Sequence, residues 1–325
     1  MGFFAYQLVR RALWVVVVAG GFVLVVRPER APRFVLAALL LAFVPMMRAC
    51  RHARGTALGT AAVWGILAAG LGAIAEGLAI SEPLAGGRPV SGHVTYLCAL
   101  TALAGLISVL NARTPGGGAW AVLMSLLVVV FLIPWLEGAG LGRAPNGLGR
   151  LRLDHPWTIF FGLLVVAGVT NYLPTRYGPA AALLGLGFGL EYLGLTATGR
   201  SPANRAALWA AVPWTLSAAA ATADLRSRAA VPAASRLEAV WLWFRDHWGV
   251  VWALRVMERF NRTAEAVGWP VRIAWHGVVA VGGGTALAVP EAAEATLIGL
   301  LRRFASPDRI DRAVGNPPCQ NPDAR

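Results

Sequence analysis

Lysine is absent from this 325-residue chain, and charge of any kind is scarce: 14% of residues are charged and 57% are hydrophobic. A soluble domain carries about a quarter charged residues. The deficit excludes an ordinary water-soluble globule and points to a membrane protein. All 29 basic residues are arginine. In a chain this rich in alanine and glycine the uniformity is compositional, so no single arginine is read as a chosen bidentate ligand. Cysteine is nearly missing as well. Cys50, Cys98 and Cys319 form no CxxC and no Cys/His ligand spacing, which excludes a disulfide framework and a local zinc site. GxSxG and HExxH are absent, and "GLGFG" lacks the spacing and strand-turn-helix setting of a nucleotide loop. No catalytic residue, metal or cofactor is expected on these grounds.

Acid is rarest in the first two thirds of the chain. Residues 1–223 hold 16 arginines and six acids, whereas residues 224–325 hold 13 and ten. A basic excess beside apolar runs meets anionic lipid headgroups rather than nucleic acid, and no aromatic-interleaved basic groove is present. The expected partners are the lipid bilayer, its anionic headgroups and a protein of unknown identity; nucleic acid is not among them.

What the sequence does contain is a series of apolar runs near the length of about 20 residues that a bilayer requires. They fall at 8–26, 33–50, 57–80, 92–110, 119–137, 157–173, 179–196 and 206–223, separated by turn-rich stretches such as "SEPLAGGRP" and "NYLPTRYGP". The expected fold is an all-α polytopic membrane protein. Residues 1–223 form a bundle of about eight transmembrane helices, with seven to nine compatible with the pattern. The second run is the weakest, because Pro45 lies inside it, and 273–289 would make a ninth. The first run follows Arg10 and Arg11 and has no small-x-small cleavage site, so it reads as an uncleaved anchor in a cell membrane. Arginines flanking the spans balance across the two faces until the C-terminal ones are counted. Their weight places the C-terminus in the cytoplasm.

From residue 224 the pattern becomes amphipathic, and residues 224–305 are expected to form a small α+β module before a disordered tail at 306–325. Trp241, Phe244, Trp248 and Trp252 recur on one helical face, the expected interfacial surface toward lipid or a partner. The helix should break near Gly249 or face two different partners. "VRIAWHGVVAV" reads as a strand, "GGG" as a turn and "TALAV" as the return strand. Pro290 opens a last helix, with Glu291 and Glu294 early and Arg302 and Arg303 late, as the helix dipole prefers.

Three carboxylates inside apolar runs are the strongest chemical signal. Glu76, Glu137 and Glu191 each lie toward the C-terminal end of an odd-numbered span, so all three should approach one membrane face. The next spans begin there near His93 and His155, which completes a candidate intramembrane polar cluster. Arg54 to Glu76, Arg113 to Glu137 and Arg176 to Glu191 also read as three versions of one two-helix unit. A dry glutamate at a helix C-terminus needs compensation: a loop arginine or water, or a role in holding a proton or cation. The leading expectation is a membrane anchor or scaffold presenting its C-terminal module to lipid or a partner. The alternative is a transporter or channel using the glutamates. A membrane enzyme with His93 and His155 as an acid-base pair ranks third.

Overall fold

The computed structural model describes residues 3–85, 90–110, 118–136, 155–196, 202–229, 232–281 and 289–314. Helix α1 spans Phe3–Val26, and a single 3-10 turn, Pro28–Arg30, reverses the chain into α2, Ala31–Ala53. Then follow α3 Gly59–Ala85, α4 Ser91–Leu110, α5 Gly118–Leu136, α6 His155–Thr170, α7 Gly178–Thr196 and α8 Pro202–Arg228. Five helices are long and apolar enough to cross a membrane: α1, α2 with its preceding turn, α3, α4 and α7, while α6 is apolar but shorter. The protein is therefore a helical membrane protein. The run with Pro45 is a continuous helix with Pro45 buried, as lipid allows where neighbouring helices cover the freed backbone groups. Val15, Val18, Phe22, Leu40, Leu67, Leu163 and Leu186 are all exposed, an apolar outer surface suited to lipid chains.

Helix α8 is the centre of the bundle and packs on α1, α2, α3, α4 and α7. Each of four neighbours meets it through a glycine. A methyl at Gly21 of α1 would lie 2.8 Å from the Trp214 ring, one at Gly72 of α3 3.1 Å from Pro213, and one at Gly92 of α4 2.8 Å from Trp209. On α7, Gly187 abuts Thr215. Small residues let helix backbones approach closely where no hydrophobic force favours association over lipid.

The C-terminal module is built on α9, Arg236–Val267, with a hairpin of β1, Val271–Ala274, and β2, Gly277–Ala280, followed by α10, Glu291–Leu301, and α11, Pro307–Val314. The strands are antiparallel, with Val271 opposite Ala280 and Ala274 opposite Gly277. The chain thus turns at Trp275 and His276, earlier than the "GGG" expected to turn it; the return strand is "GVVA", residues 282–288 lie outside the described residues, and no ninth span forms at 273–280. Gly277, the first residue of β2, packs directly on the Glu238 carboxylate. The aromatic face also resolves differently from the expectation. Trp241, Phe244, Trp248 and Trp252 are buried with Leu297, Leu301, Phe304 and Ile310 in the module's own core, because α10 and α11 cover the apolar stripe of α9. Ile310 also explains why 307–314 is helical rather than the start of a tail: its burial holds α11 in place, and Arg236 bridges to Glu294 and Asp311, each at 2.5 Å.

The module is clamped to one face of the bundle by hydrogen bonds to the backbone. Helix α9 breaks at Gly249, whose φ of 74° is left-handed and whose Cα packs against Asn171. The break frees backbone donors. Val250 N–H donates to the Asn171 carbonyl at 2.9 Å and Val251 N–H to its side-chain oxygen at 3.0 Å. Trp252 Nε1–H donates to the Val109 carbonyl at 3.1 Å, at the end of α4. Ala57 and Phe304, then Ser306 and Gly55, join the module to the α2–α3 loop. Asp246, 1% exposed, accepts from Arg245 at 2.7 Å and lies 3.5 Å from Arg176, which precedes α7. On the same side of the bundle Arg48 and Arg228 stack on the Tyr6 ring, and Tyr6 hydroxyl donates to Asp224. The start of α1, the ends of α2, α4, α6 and α8, and the module therefore share one face.

Two predictions follow from the clamp. Asn171→Ala removes the side-chain acceptor of the Val251 N–H, a part-buried bond, at a cost of about 0.5–1.5 kcal/mol, read as a lower thermal midpoint in detergent by tryptophan fluorescence. His247 is half-buried against the rings of Tyr177 and Trp243. Its Nδ1 donates to the Trp243 carbonyl at 2.8 Å, and burial pushes its pKa down to about 4, with Arg176 and Arg309 also lowering it and Asp246 opposing them. The unfolded chain then binds the proton more readily, since a free histidine titrates near about 6.5. Stability should be full above that pH and fall as pH drops toward about 4, a slope that His247→Gln removes.

Candidate functional site

Glu76 and Glu191 are 2% and 1% exposed, inside the bundle on α3 and α7. Among the described residues, both carboxyl oxygens of Glu191 and the Oε2 of Glu76 are buried without a hydrogen-bond partner. Each lies one helical turn beyond a glycine that meets α8: Gly72 precedes Glu76 by four residues and Gly187 precedes Glu191 by four. The close approach of backbone that these glycines permit is what carries the carboxyls inward. Cys98 of α4 packs on α3 at the level of Gly72. Its Sγ donates to the Ala68 carbonyl of α3 at 3.1 Å and would touch a methyl at Gly72 at 3.3 Å. Tyr96, two residues earlier on α4, donates its hydroxyl to the Phe131 carbonyl of α5 at 2.7 Å.

The walls are sparing in spare donors. Thr215 Oγ1 donates to the Val212 carbonyl at 2.7 Å, and Thr95 Oγ1 to the Ser91 carbonyl at 3.0 Å. Both hydroxyls thus return their hydrogens to their own helix. Pro213, buried in α8 between Gly72 and Gly187, supplies no N–H. A carboxyl here is compensated by taking up a proton or a cation, since either neutralises charge that dry surroundings disfavour.

His93 is buried near the start of α4, next to Gly92 and the Trp209 ring. His155 is exposed at the first turn of α6, where its carbonyl accepts from Thr158 Oγ1. Glu137, with Arg113 of the repeat pattern, lies outside the described residues. The structure thus buries Glu76 and Glu191 inside the bundle, on two helices that both pack on α8, and leaves His155 exposed. Sequence reasoning missed Gly72, Gly187, Cys98 and Pro213. A signal for the two glycines was present, since each precedes a glutamate by four residues and so shares its helix face. No group of three or more His, Cys, Asp or Glu side chains able to hold a metal occurs among the described residues.

No family model, curated protein or solved structure matches the chain.

The packing around the site can be tested with paired glycines of α7. Gly187→Ala forces a methyl onto Thr215, and such overpacking costs about 1–3 kcal/mol. Gly189→Ala meets nothing within 4 Å and should be neutral or stabilising by up to about 1 kcal/mol. Thermal unfolding of the two variants in detergent separates them.

Proposed function

We propose that this protein is a membrane transporter for a small cation or proton, with Glu76 and Glu191 as the residues that hold the transported charge. One observation carries the reading: two glutamates inside the bundle, both buried, with carboxyl oxygens that no described donor satisfies. Charged side chains in the membrane interior are costly, and where they occur they characteristically mark ion pathways and proton relays. An anchor needs neither.

The transport reading takes α5, α6 and α8 as further spans beside the five. An even total agrees with the start of α1 and the module sharing one face. Arg10, Arg11, Arg48, Arg51, Arg54 and Arg176 also belong to that face, and with the module's arginines they favour a cytoplasmic side. A scaffold role is the second reading, favoured by the module's hydrogen-bonded clamp on the α2–α3 loop, the end of α4 and the α6–α7 connection.

Purified protein in liposomes should pass protons or a monovalent cation down an imposed gradient. Changing Glu76 and Glu191 together to Gln should reduce that flux to the level of protein-free liposomes while the thermal midpoint is retained. Absence of flux in the unmodified protein, or equal flux in the double variant, would sink the reading and leave the scaffold ahead.

A further inference from the structure

Helix α1 has an unbalanced basic end and, next to it, a groove in its outer face. From Phe3 to Val26 the helix contains no acid, and Arg10 and Arg11 lie about two turns in from its start. Bases outnumber acids around them. Arg48 and Arg228 stack on the Tyr6 ring, one turn before Arg10. The nearby Asp224 is already engaged, by Arg228 at 3.3 Å and by the Tyr6 hydroxyl. Among the described residues the ion pairs include none of Arg10, Arg11 and Arg48. Three positive charges thus collect where the start of α1 meets the ends of α2 and α8, with no carboxylate bridged to any of them.

The groove begins one turn deeper. Trp14, Val15, Val18, Ala19 and Phe22 line about 640 Å³ on the outside of α1. Ala19 is the smallest of the five, with the Trp14 ring five residues before it and the Phe22 ring three after. Arg11, Val15, Val18 and Phe22 follow i, i+4, i+7, i+11 spacing and share one helical face. Arg11 therefore stands at the head of the groove. Its side chain leans toward the helix N-terminus, the membrane face that α1 shares with the module. From Arg11 to Phe22 is about 16 Å along the axis, half of a hydrocarbon core of ~30 Å. The groove has the length of one leaflet.

We propose that this face of α1 binds an anionic phospholipid of the leaflet on the module's side. Its phosphate sits at Arg11, flanked by Arg10 and Arg48, and one acyl chain lies between the Trp14 and Phe22 rings. Charge separates this occupant from two others. A zwitterionic phospholipid suits the apolar groove equally, but brings its own cation to a corner that already holds three. A second copy of the chain has the same orientation in the membrane. An isologous contact through this face would set the Arg11 side chains of both copies at one level, where like charges repel. An anionic headgroup neutralises the same charges, and each arginine at a membrane surface strengthens its binding about fivefold. The lipid site is independent of the transport reading.

The experiment titrates the full chain in detergent with dioleoylphosphatidylglycerol or with dioleoylphosphatidylcholine, and counts bound lipid by native mass spectrometry. The expected result is one phosphatidylglycerol retained per chain in preference to phosphatidylcholine. Arg11→Gln should weaken phosphatidylglycerol binding about fivefold and leave phosphatidylcholine unchanged, while Arg11→Lys keeps the charge and the preference. Ala19→Leu fills the groove and should weaken both lipids. Arg27→Gln, at the other end of α1, should change neither. Arg11 and Arg27 are exposed, so these substitutions leave the packed core intact. Equal retention of the two lipids overturns the proposal, as does a loss of preference in Arg27→Gln that Arg11→Gln does not share. A dimer that Ala19→Leu dissociates overturns it too, and gives the face to a second copy.

Discussion

Close approach to α8 is the constraint on which the rest of the bundle depends. Lipid chains are as apolar as leucine, so helices gain little by hiding apolar side chains from them and associate through tight packing instead. Gly21, Gly72, Gly92 and Gly187 each remove the side chain that would hold α1, α3, α4 or α7 away from Trp214, Pro213, Trp209 or Thr215. Once these contacts are made, the depth and rotation of α3 and α7 are set. The positions of Glu76 and Glu191, one turn further on, follow.

The same constraint accounts for the unusual composition of α8. A helix covered by five others has no need of a lipid-compatible surface, so alanine, threonine, serine and proline suffice where α1 or α3 carries valine, leucine and isoleucine. Ser217 and Thr215 are buried, and each returns its hydrogen to its own helix backbone. Pro213 has no N–H, so the Trp209 carbonyl one turn before it lacks its helical donor. Polar chemistry is thereby concentrated where lipid does not reach.

The module sits at the other end of this arrangement. It binds the connections at the start of α3 and α7, whereas Glu76 and Glu191 lie toward the ends of those helices. Asn171 is central to the clamp, because it supplies both a main-chain and a side-chain acceptor to the donors exposed by the break at Gly249. The helix thereby changes direction without leaving those N–H groups unpaired. Arg176 and Asp246 extend the contact to the residue before α7, so the helix carrying Glu191 is tied to the module at its first turn.

Much of this was legible without coordinates. Low charge and the lengths of the apolar runs determine the membrane class, and the changed periodicity after residue 224 determines that a separate amphipathic unit follows. The mismatch of the aromatic stripe before and after Gly249 announces the break in α9. Two carboxylates among apolar neighbours are visible as an energetic cost needing an explanation. Which explanation applies is a tertiary matter. Periodicity shows that Trp241, Phe244, Trp248 and Trp252 share a face but not what covers it, and α10 and α11 cover it from 30 or more residues away. It equally gives no depth or rotation for a helix that is apolar all round, because every face then looks alike. Only the meeting of Gly72 and Gly187 with α8 sets the levels of Glu76 and Glu191 in the bundle, and the first of these contacts, with Pro213, joins residues more than 100 positions apart along the chain.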